Sequence, residues 1–293
     1  MIHADDGRPP RDVRSLNRVA DPHMGADGIV ELEIAVTTPS AQIRTDAVKE
    51  GISLVRQAMR AVGESIEADA GALHDAELTL TEACSNAVRH AYPGGDGTLV
   101  ASIDVRDGAF HTLVRDAGRG METVPPPPSR QGGGLGLKVI DALVDDVEIR
   151  SERGLGTEIA MALPTAPDLR GGVTPAWDGI AIGQIVRRVV GLATAQADFP
   201  PERITEALIA MEIVAGAVPR NLVGETVRLR LAEDQVGIQM FIGPLSPGGA
   251  RRILEGTGVL GVIVRRLADA VWEMPPDTGR PSDGEELALR FAA

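Results

Sequence analysis

Glu82-Ala-Cys-Ser-Asn86-Ala-Val-Arg-His90 sets a carboxylate, a carboxamide and an imidazole at four-residue intervals. Around it, Leu73, Ala76, Leu80, Ala83, Ala87 and Ala91 recur every three or four positions, which predicts an amphipathic helix from Leu73 to Ala91. Glu82, Asn86 and His90 then share one stripe of that helix, opposite its buried face. A carboxylate one turn from a neutral oxygen donor can hold a hydroxyl and a hard cation side by side. Alone, the stripe is better read as the solvated side of an amphipathic helix. Its meaning depends on what accompanies it.

With 293 residues and a hydrophobic fraction of 43%, the chain can build two domains with real cores. No apolar run approaches the roughly 20 residues of a membrane span. The opening Met1-Ile-His-Ala-Asp-Asp-Gly-Arg-Pro-Pro has no signal-peptide apolar core. Cys84 is the sole cysteine, so no internal disulfide can form, and a reducing cytosol is expected. Among alanines on a helix, Cys84 reads as a packing group. We therefore expect a cytoplasmic protein with no membrane partner. A net charge of −13 and an aromatic content of 2% argue against nucleic acid, which asks for a basic footprint or stacking rings. Protein or small-molecule partners are expected instead.

Working outward, residues 1–28 are rich in Asp, Arg, Gly and Pro without periodicity and read as a disordered tail. Ile29 to Val36 alternates like a strand, and Ile43, Val48, Ile52, Val55, Met59 and Val62 mark a first long helix ahead of the Glu82 helix. Beyond Pro93-Gly-Gly-Asp-Gly97, two strand-like runs, Leu99 to Val105 and Phe110 to Arg115, meet at Asp107-Gly108, a favoured hairpin turn. A loop from Asp116 to Gly136 holds four prolines and three glycines in uninterrupted runs. A helix from about Leu137 to Val144 and two strands, Val147 to Ser151 and Thr157 to Leu163, close the unit before a Pro/Gly-rich linker. Helices followed by hairpins predict an α+β two-layer sandwich with a mostly antiparallel sheet, not a wound βαβ sheet.

The C-terminal half reads as a worn repeat of the same pattern. Ile185 to Ala195 stands for the first helix, and Arg203 to Gly216 for the second, with Glu212 at the place of Glu82. Val227 to Leu231 and Val236 to Phe241 repeat the hairpin, Leu260-Gly261 matches Leu135-Gly136, and Gly284 matches Gly156. The domains expected are a tail (1–28), a first domain (29–164), a linker (165–176) and a degenerate second domain (177–293). In the second, Gly216 stands for Asn86 and Gly243 for Asp116, so no competent site is expected there.

Three signals join the helix stripe. Arg115-Asp116-Ala-Gly118-Arg-Gly120 puts a carboxylate at a strand end beside glycines that let the backbone approach a flat ring. Gln131-Gly-Gly-Gly-Leu-Gly136 opens a helix and suits phosphate oxygens. Gly154-Leu-Gly156-Thr157 links two strands. Singly these also fit a strand-to-loop turn, a hinge and a hairpin. Gly256-Thr-Gly258-Val-Leu-Gly261 matches a dinucleotide fingerprint, but Arg251 to Glu255 before it reads as helix rather than strand, which excludes that use.

In this order and on these elements, the combination resembles the ATP-binding fold shared by gyrase, histidine kinases and MutL, the GHKL (Bergerat) type. Glu82, Asn86-Ala87, His90-Ala91-Tyr92, Asp116 to Met121 and Gly156-Thr157 resemble in wording its anti-sigma-factor serine kinase branch. That resemblance spans about residues 29–164. It implies ATP and Mg²⁺ as cofactors, with Asn86 as the metal ligand and Asp116 reading the adenine amine beside Gly118, Gly120 and Thr157. Gly132, Gly133, Gly134, Leu135 and Gly136 would close over the phosphates, Arg130 adding charge, with Gly156 closing the site. Glu82 would be the catalytic base, and His90 either touches the nucleotide or only supports the helix end. The implied activity is a protein serine/threonine kinase acting on a STAS-domain anti-anti-sigma protein, with a sigma factor as a second partner. Alternatives are an ATP-dependent sequestering module without kinase activity and a non-kinase GHKL ATPase. Members of the branch are single domains that pair, so the second half suggests self-association or an intramolecular pseudo-dimer.

Overall fold

A computed structural model describes residues 29–121, 135–166, 179–256, 258–275 and 284–293. The expected tail, most of the linker, and Arg130 through Gly134 lie outside the described residues. The first half runs β1 (Ile29–Ala35), β2 (Ser40–Asp46), α1 (Lys49–Ser65), α2 (Ala70–His90), β3 (Thr98–Arg106), β4 (Ala109–Asp116), α3 (Leu135–Leu143), β5 (Asp146–Glu152) and β6 (Gly156–Pro164). The second runs α4 (Gly179–Gln196), α5 (Pro201–Ala217), β7 (Thr226–Glu233), β8 (Gly237–Leu245), α6 (Gly249–Gly256), α7 (Val259–Leu267), β9 (Ala270–Met274) and β10 (Glu285–Ala292).

The strands form a single antiparallel ten-stranded sheet in the order β5-β6-β4-β3-β2-β1-β7-β8-β10-β9. Its two faces follow from the period of two. Ile159, Val114, Ala101, Ile43, Leu32, Leu229, Ile242 and Leu287 form one unbroken row across the ladders, and every member is buried. The neighbouring row, Glu158, Arg115, Val100, Arg44 and Glu31, points the other way and keeps some exposure. The helices therefore cover one face, making the expected two-layer α+β sandwich. Asp107 and Gly108 both have positive φ, as a two-residue hairpin turn requires. Among the described residues, no helix is long and apolar enough to cross a membrane.

One element departs from the sequence reading. Ile43, expected in the first helix, lies in β2, and α1 begins only at Lys49. Ala41, Ile43 and Thr45 alternate inward, a period of two hidden by polar Ser40, Gln42 and Arg44. At the start of α2, the Asp69 carboxylate accepts from Gly71 N at 2.9 Å and Ala72 N at 3.0 Å. Such a cap contributes about 1 kcal/mol and sets where the Glu82 stripe begins. Arg60 on α1 grips the buried Glu77 of α2 through two bonds of 2.7 and 2.6 Å, locking the helix that carries the stripe.

The element order α-α-β-β-α-β-β occurs in each half, α6 being extra in the second, and the strands fall at mirrored places about the β2–β1 centre. The halves meet without a break. β1 pairs with β2 on one side and β7 on the other, with Glu33 bonded to Arg228 at 3.1 Å. Arg188 of α4 bonds Glu64 of α1, and Gln196 donates to Glu50 O at 3.2 Å. One hydrophobic core runs through both halves.

Candidate functional site

The C-terminal half of α2 forms one wall of a cavity of about 620 Å³, a size suited to a small molecule. Ala83 and Ala87 give it a smooth wall, while Val114, Ile159 and Leu137 supply an apolar lining. Asn86 and His90 project into it from the stripe; Glu82 and Asn86 are half-buried and His90 is exposed.

Asp116, the last residue of β4, is buried at the far end. Its Oδ1 accepts from Gly118 N at 3.0 Å and Thr157 N at 3.3 Å, which leaves Oδ2 to serve a ligand. Burial pushes the carboxyl above its usual range, and the two N–H bonds pull it partly back. Gly118 and Gly156 build this end from behind rather than lining it. A Cβ at Gly118 would fall 2.3 Å from Ala91 O, and one at Gly156, whose φ is +100°, would fall 2.0 Å from Asp116 O. Thr157 helps Asp116 through its amide; its hydroxyl lies 2.9 Å from Ser151 Oγ. Gly120 lines the cavity.

At the other end, the N-terminus of α3 comes down on the stripe. A Cβ on Gly136 would lie 2.7 Å from Glu82 Oε2 and 3.5 Å from Asn86 Oδ1, so the bare glycine backbone sits directly against the stripe and a side chain there would push Glu82 aside. The first amides of a helix favour anions. Asn86 Nδ2 is buried with no partner. A buried amide left unpaired costs about 1–3 kcal/mol, a cost that a ligand oxygen would remove. Among the described residues, no group of three or more His, Cys, Asp or Glu could hold a metal. A cation here would take one protein oxygen and complete its shell from phosphate and water, which is the habit of Mg²⁺.

The structure thus brings together Glu82, Asn86, His90, Asp116, Gly120, Gly136 and Thr157. Arg130, Gly132, Gly133 and Gly134 lie outside the described residues, and Leu135 is placed only as the first residue of α3. The sequence reading missed Arg119, Met121 and Arg153 in the lining. Arg119 stood in view inside the Asp116–Gly120 loop. Arg153 had no local signal; it arrives because Gly154 N donates to Arg119 O at 2.8 Å, tying the β5–β6 turn to that loop. Two guanidiniums against one carboxylate make the lining cationic within a chain of net charge −13. The arrangement can grip an amine-bearing ring at the Asp116 end and an anion at the Gly136 end.

In the second half the correspondences shift from those expected. Six of the seven buried residues of α2 (Ala76, Thr79, Leu80, Ala83, Cys84, Ala87) match Ala207, Ala210, Met211, Val214, Ala215 and Val218 around α5, while Glu77 falls opposite half-buried Leu208. That register sets Ile213 against Glu82 and Ala217 against Asn86. Glu212 is instead an exposed residue bonded to Arg187 at 3.2 Å, and in the same register Gly216, also exposed, stands one place before Ala217. Leu245, not Gly243, corresponds to Asp116: a Cβ on Gly284 would meet Leu245 O at 2.1 Å, as one on Gly156 meets Asp116 O. Ile213, Ala217 and Leu245 carry neither carboxylate nor carboxamide.

Residues 46–163 match the family model of the histidine kinase-like ATPase domain and form a domain of that GHKL fold. An anti-sigma F factor of Clostridium acetobutylicum is 24% identical over 123 residues, covering 39% of this chain and 86% of the relative. A serine-protein kinase RsbW of Bacillus licheniformis is 25% identical over 130 residues, covering 39% of this chain and 80% of the relative. Among solved structures, the histidine kinase domain of a blue-light activated histidine kinase from Erythrobacter litoralis is 22% identical with a TM-score of 0.27. That match covers 32% of this chain and 45% of the other.

Proposed function

We propose that the cavity binds ATP with Mg²⁺ and that the chain is a protein-serine kinase regulating a sigma-factor pathway. Its acceptor would be a serine on a STAS-domain anti-anti-sigma protein, and a sigma factor its sequestered partner. The names of the two relatives support this reading. The observation that carries it is the pairing of Glu82 with Asn86 under the α3 N-terminus, while Asp116 is fixed at the opposite end of the same cavity.

Asp116 accepts from the adenine amine through its free oxygen. Val114, Ile159 and Leu137 exclude water from the ring. The α3 amides and Gly136 receive the phosphates. Asn86 would hold Mg²⁺ through its carboxamide oxygen, and the ion supplies charge neutralisation on the phosphates. Glu82 takes the proton of the attacking serine hydroxyl. Phosphoryl transfer asks little else of the protein beyond positioning and charge. The test is labelled ATP offered with each STAS-domain protein of the same organism. Transfer to the acceptor supports the reading; tight ATP binding without transfer overturns the kinase assignment and leaves a sequestering module.

Two further outcomes are expected. Accepting an amine N–H needs ionised Asp116, and its carboxyl is raised by burial. As pH falls, ATP affinity should therefore begin to drop above the range of an ordinary carboxylate. Calorimetry at stepped pH checks this, and Asp116→Asn should remove that acid limb; an unchanged profile in the variant excludes Asp116. We also propose that the second half is a degenerate repeat with no ATP site, because Ile213, Ala217 and Leu245 offer no base, metal ligand or amine acceptor. Calorimetric titration should find one nucleotide per chain, and two equivalent sites would refute it.

A further inference from the structure

Tyr92, the sole tyrosine, follows α2 by one residue past its C-cap Ala91. Its hydroxyl donates to Thr98 O, at the start of β3, at 2.7 Å and accepts from Ala117 N at 2.8 Å. Both hydroxyl functions are thus spent on backbone, and one holds the residue next to Asp116. The ring lies on Gly97: a Cβ there would fall 2.3 Å from three ring carbons, so the ring reaches its place only because residue 97 lacks a side chain.

The Asp116–Gly120 loop is pinned to the end of α2 at consecutive residues. Ala117 is held by Tyr92, Gly118 by its close approach to Ala91, and Arg119 by its N–H to Ala91 O at 2.9 Å. The Gly118 amide is itself one of the two donors that fix Asp116 Oδ1. A loop that slips at Ala117 misplaces that donor and frees the carboxylate to turn. The tyrosine phenol is half-buried, and burial pushes it above its ordinary value while the Ala117 amide pulls it back. It stays a neutral group able to donate and accept at once.

We infer that Tyr92 is a positioning residue for base recognition: by fixing the Ala117 amide it aims the free oxygen of Asp116 at the exocyclic amine of the purine, and so sets the preference for an amino-purine over an oxo-purine nucleotide. This rests on the ATP-binding reading of the cavity. A brace serving stability alone would affect all nucleotides equally, whereas a brace that aims Asp116 affects only those bearing the amine.

The experiment is calorimetric binding of ATP and of inosine triphosphate, which carries an oxygen where adenine carries the amine, to the full chain as wild type, Tyr92→Phe and Asp116→Asn. Phenylalanine keeps the ring on Gly97 and removes only the hydroxyl. Wild type should prefer ATP. Tyr92→Phe should weaken ATP about 10-fold, equivalent to about 1.4 kcal/mol, with inosine triphosphate nearly unchanged, so that the preference collapses. Equal losses for both nucleotides, or no loss for either, would overturn the positioning role. A preference that survives Asp116→Asn would overturn the Asp116 assignment and the inference with it. If the preference is lost in Asp116→Asn but kept in Tyr92→Phe, only the role of Tyr92 fails.

Discussion

Replacing Glu82 by glutamine is expected to abolish phosphoryl transfer while ATP remains bound. Glutamine preserves the shape of the side chain and its place under Gly136, but it cannot take a proton from a serine hydroxyl. General-base contributions of this kind typically amount to about 10²–10⁴-fold in rate. Glu82 is only half-buried, so removing its charge leaves no buried partner stranded, and thermal unfolding should move little. Taking one negative charge from beside a polyphosphate should hold ATP affinity constant or raise it. Single-turnover transfer to the STAS-domain acceptor, measured with ATP binding on the same preparations, checks both arms. A Glu82→Gln variant that transfers at the wild-type rate would remove this residue from the mechanism. Lost binding would mean that Glu82 builds the site rather than acting in it.

Asn86→Ala should have an effect as large, at a different step. The carboxamide oxygen lies beside the Glu82 carboxylate under the start of α3, where it would hold Mg²⁺, and its Nδ2 is buried without a partner. Alanine removes both functions. We expect Mg²⁺-dependent ATP affinity to fall by about 100-fold or more, on the scale of two charge-assisted contacts at about 1.5 kcal/mol or more each. The diagnostic is the difference between titrations with Mg²⁺ and with chelator. Wild type should lose affinity when the ion is chelated, and the variant should not respond. Because the variant also deletes an unsatisfied buried amide, its melting temperature without nucleotide should be equal to or above that of wild type. A variant that still responds to Mg²⁺ would place the metal elsewhere.

How far these residues could be read before any coordinates depended on the range of the interactions that place them. Glu82, Asn86 and His90 were legible because helical geometry alone puts them on one stripe. Asp107-Gly108 was legible because few residue pairs tolerate two positive φ angles. β2 was not, since its alternation is short and polar on the outward side, and only pairing with β1 and β3 selects strand over helix. Arg153 was hidden for a similar reason: a backbone bond to Arg119, distant in the chain, brings its turn to the cavity. For the proposed repeat, sequence likeness favours the visible glutamate, Glu212, whereas the burial register of α5 against α2 puts Ile213 opposite Glu82. Strand pairing likewise moved the Asp116 counterpart to Leu245.

The unbroken ten-stranded sheet bears on how the protein would sense its nucleotide. An assembly of two equivalent subunits can bind its ligands cooperatively, the first event altering the second. Here both halves of a comparable frame are drawn from one chain, and on the proposal above only one of them binds nucleotide. Within a single chain there is no second event to influence. Saturation should follow a plain hyperbola with a Hill coefficient of one. Such a site would fill in proportion to free ATP, as a dial rather than a trigger.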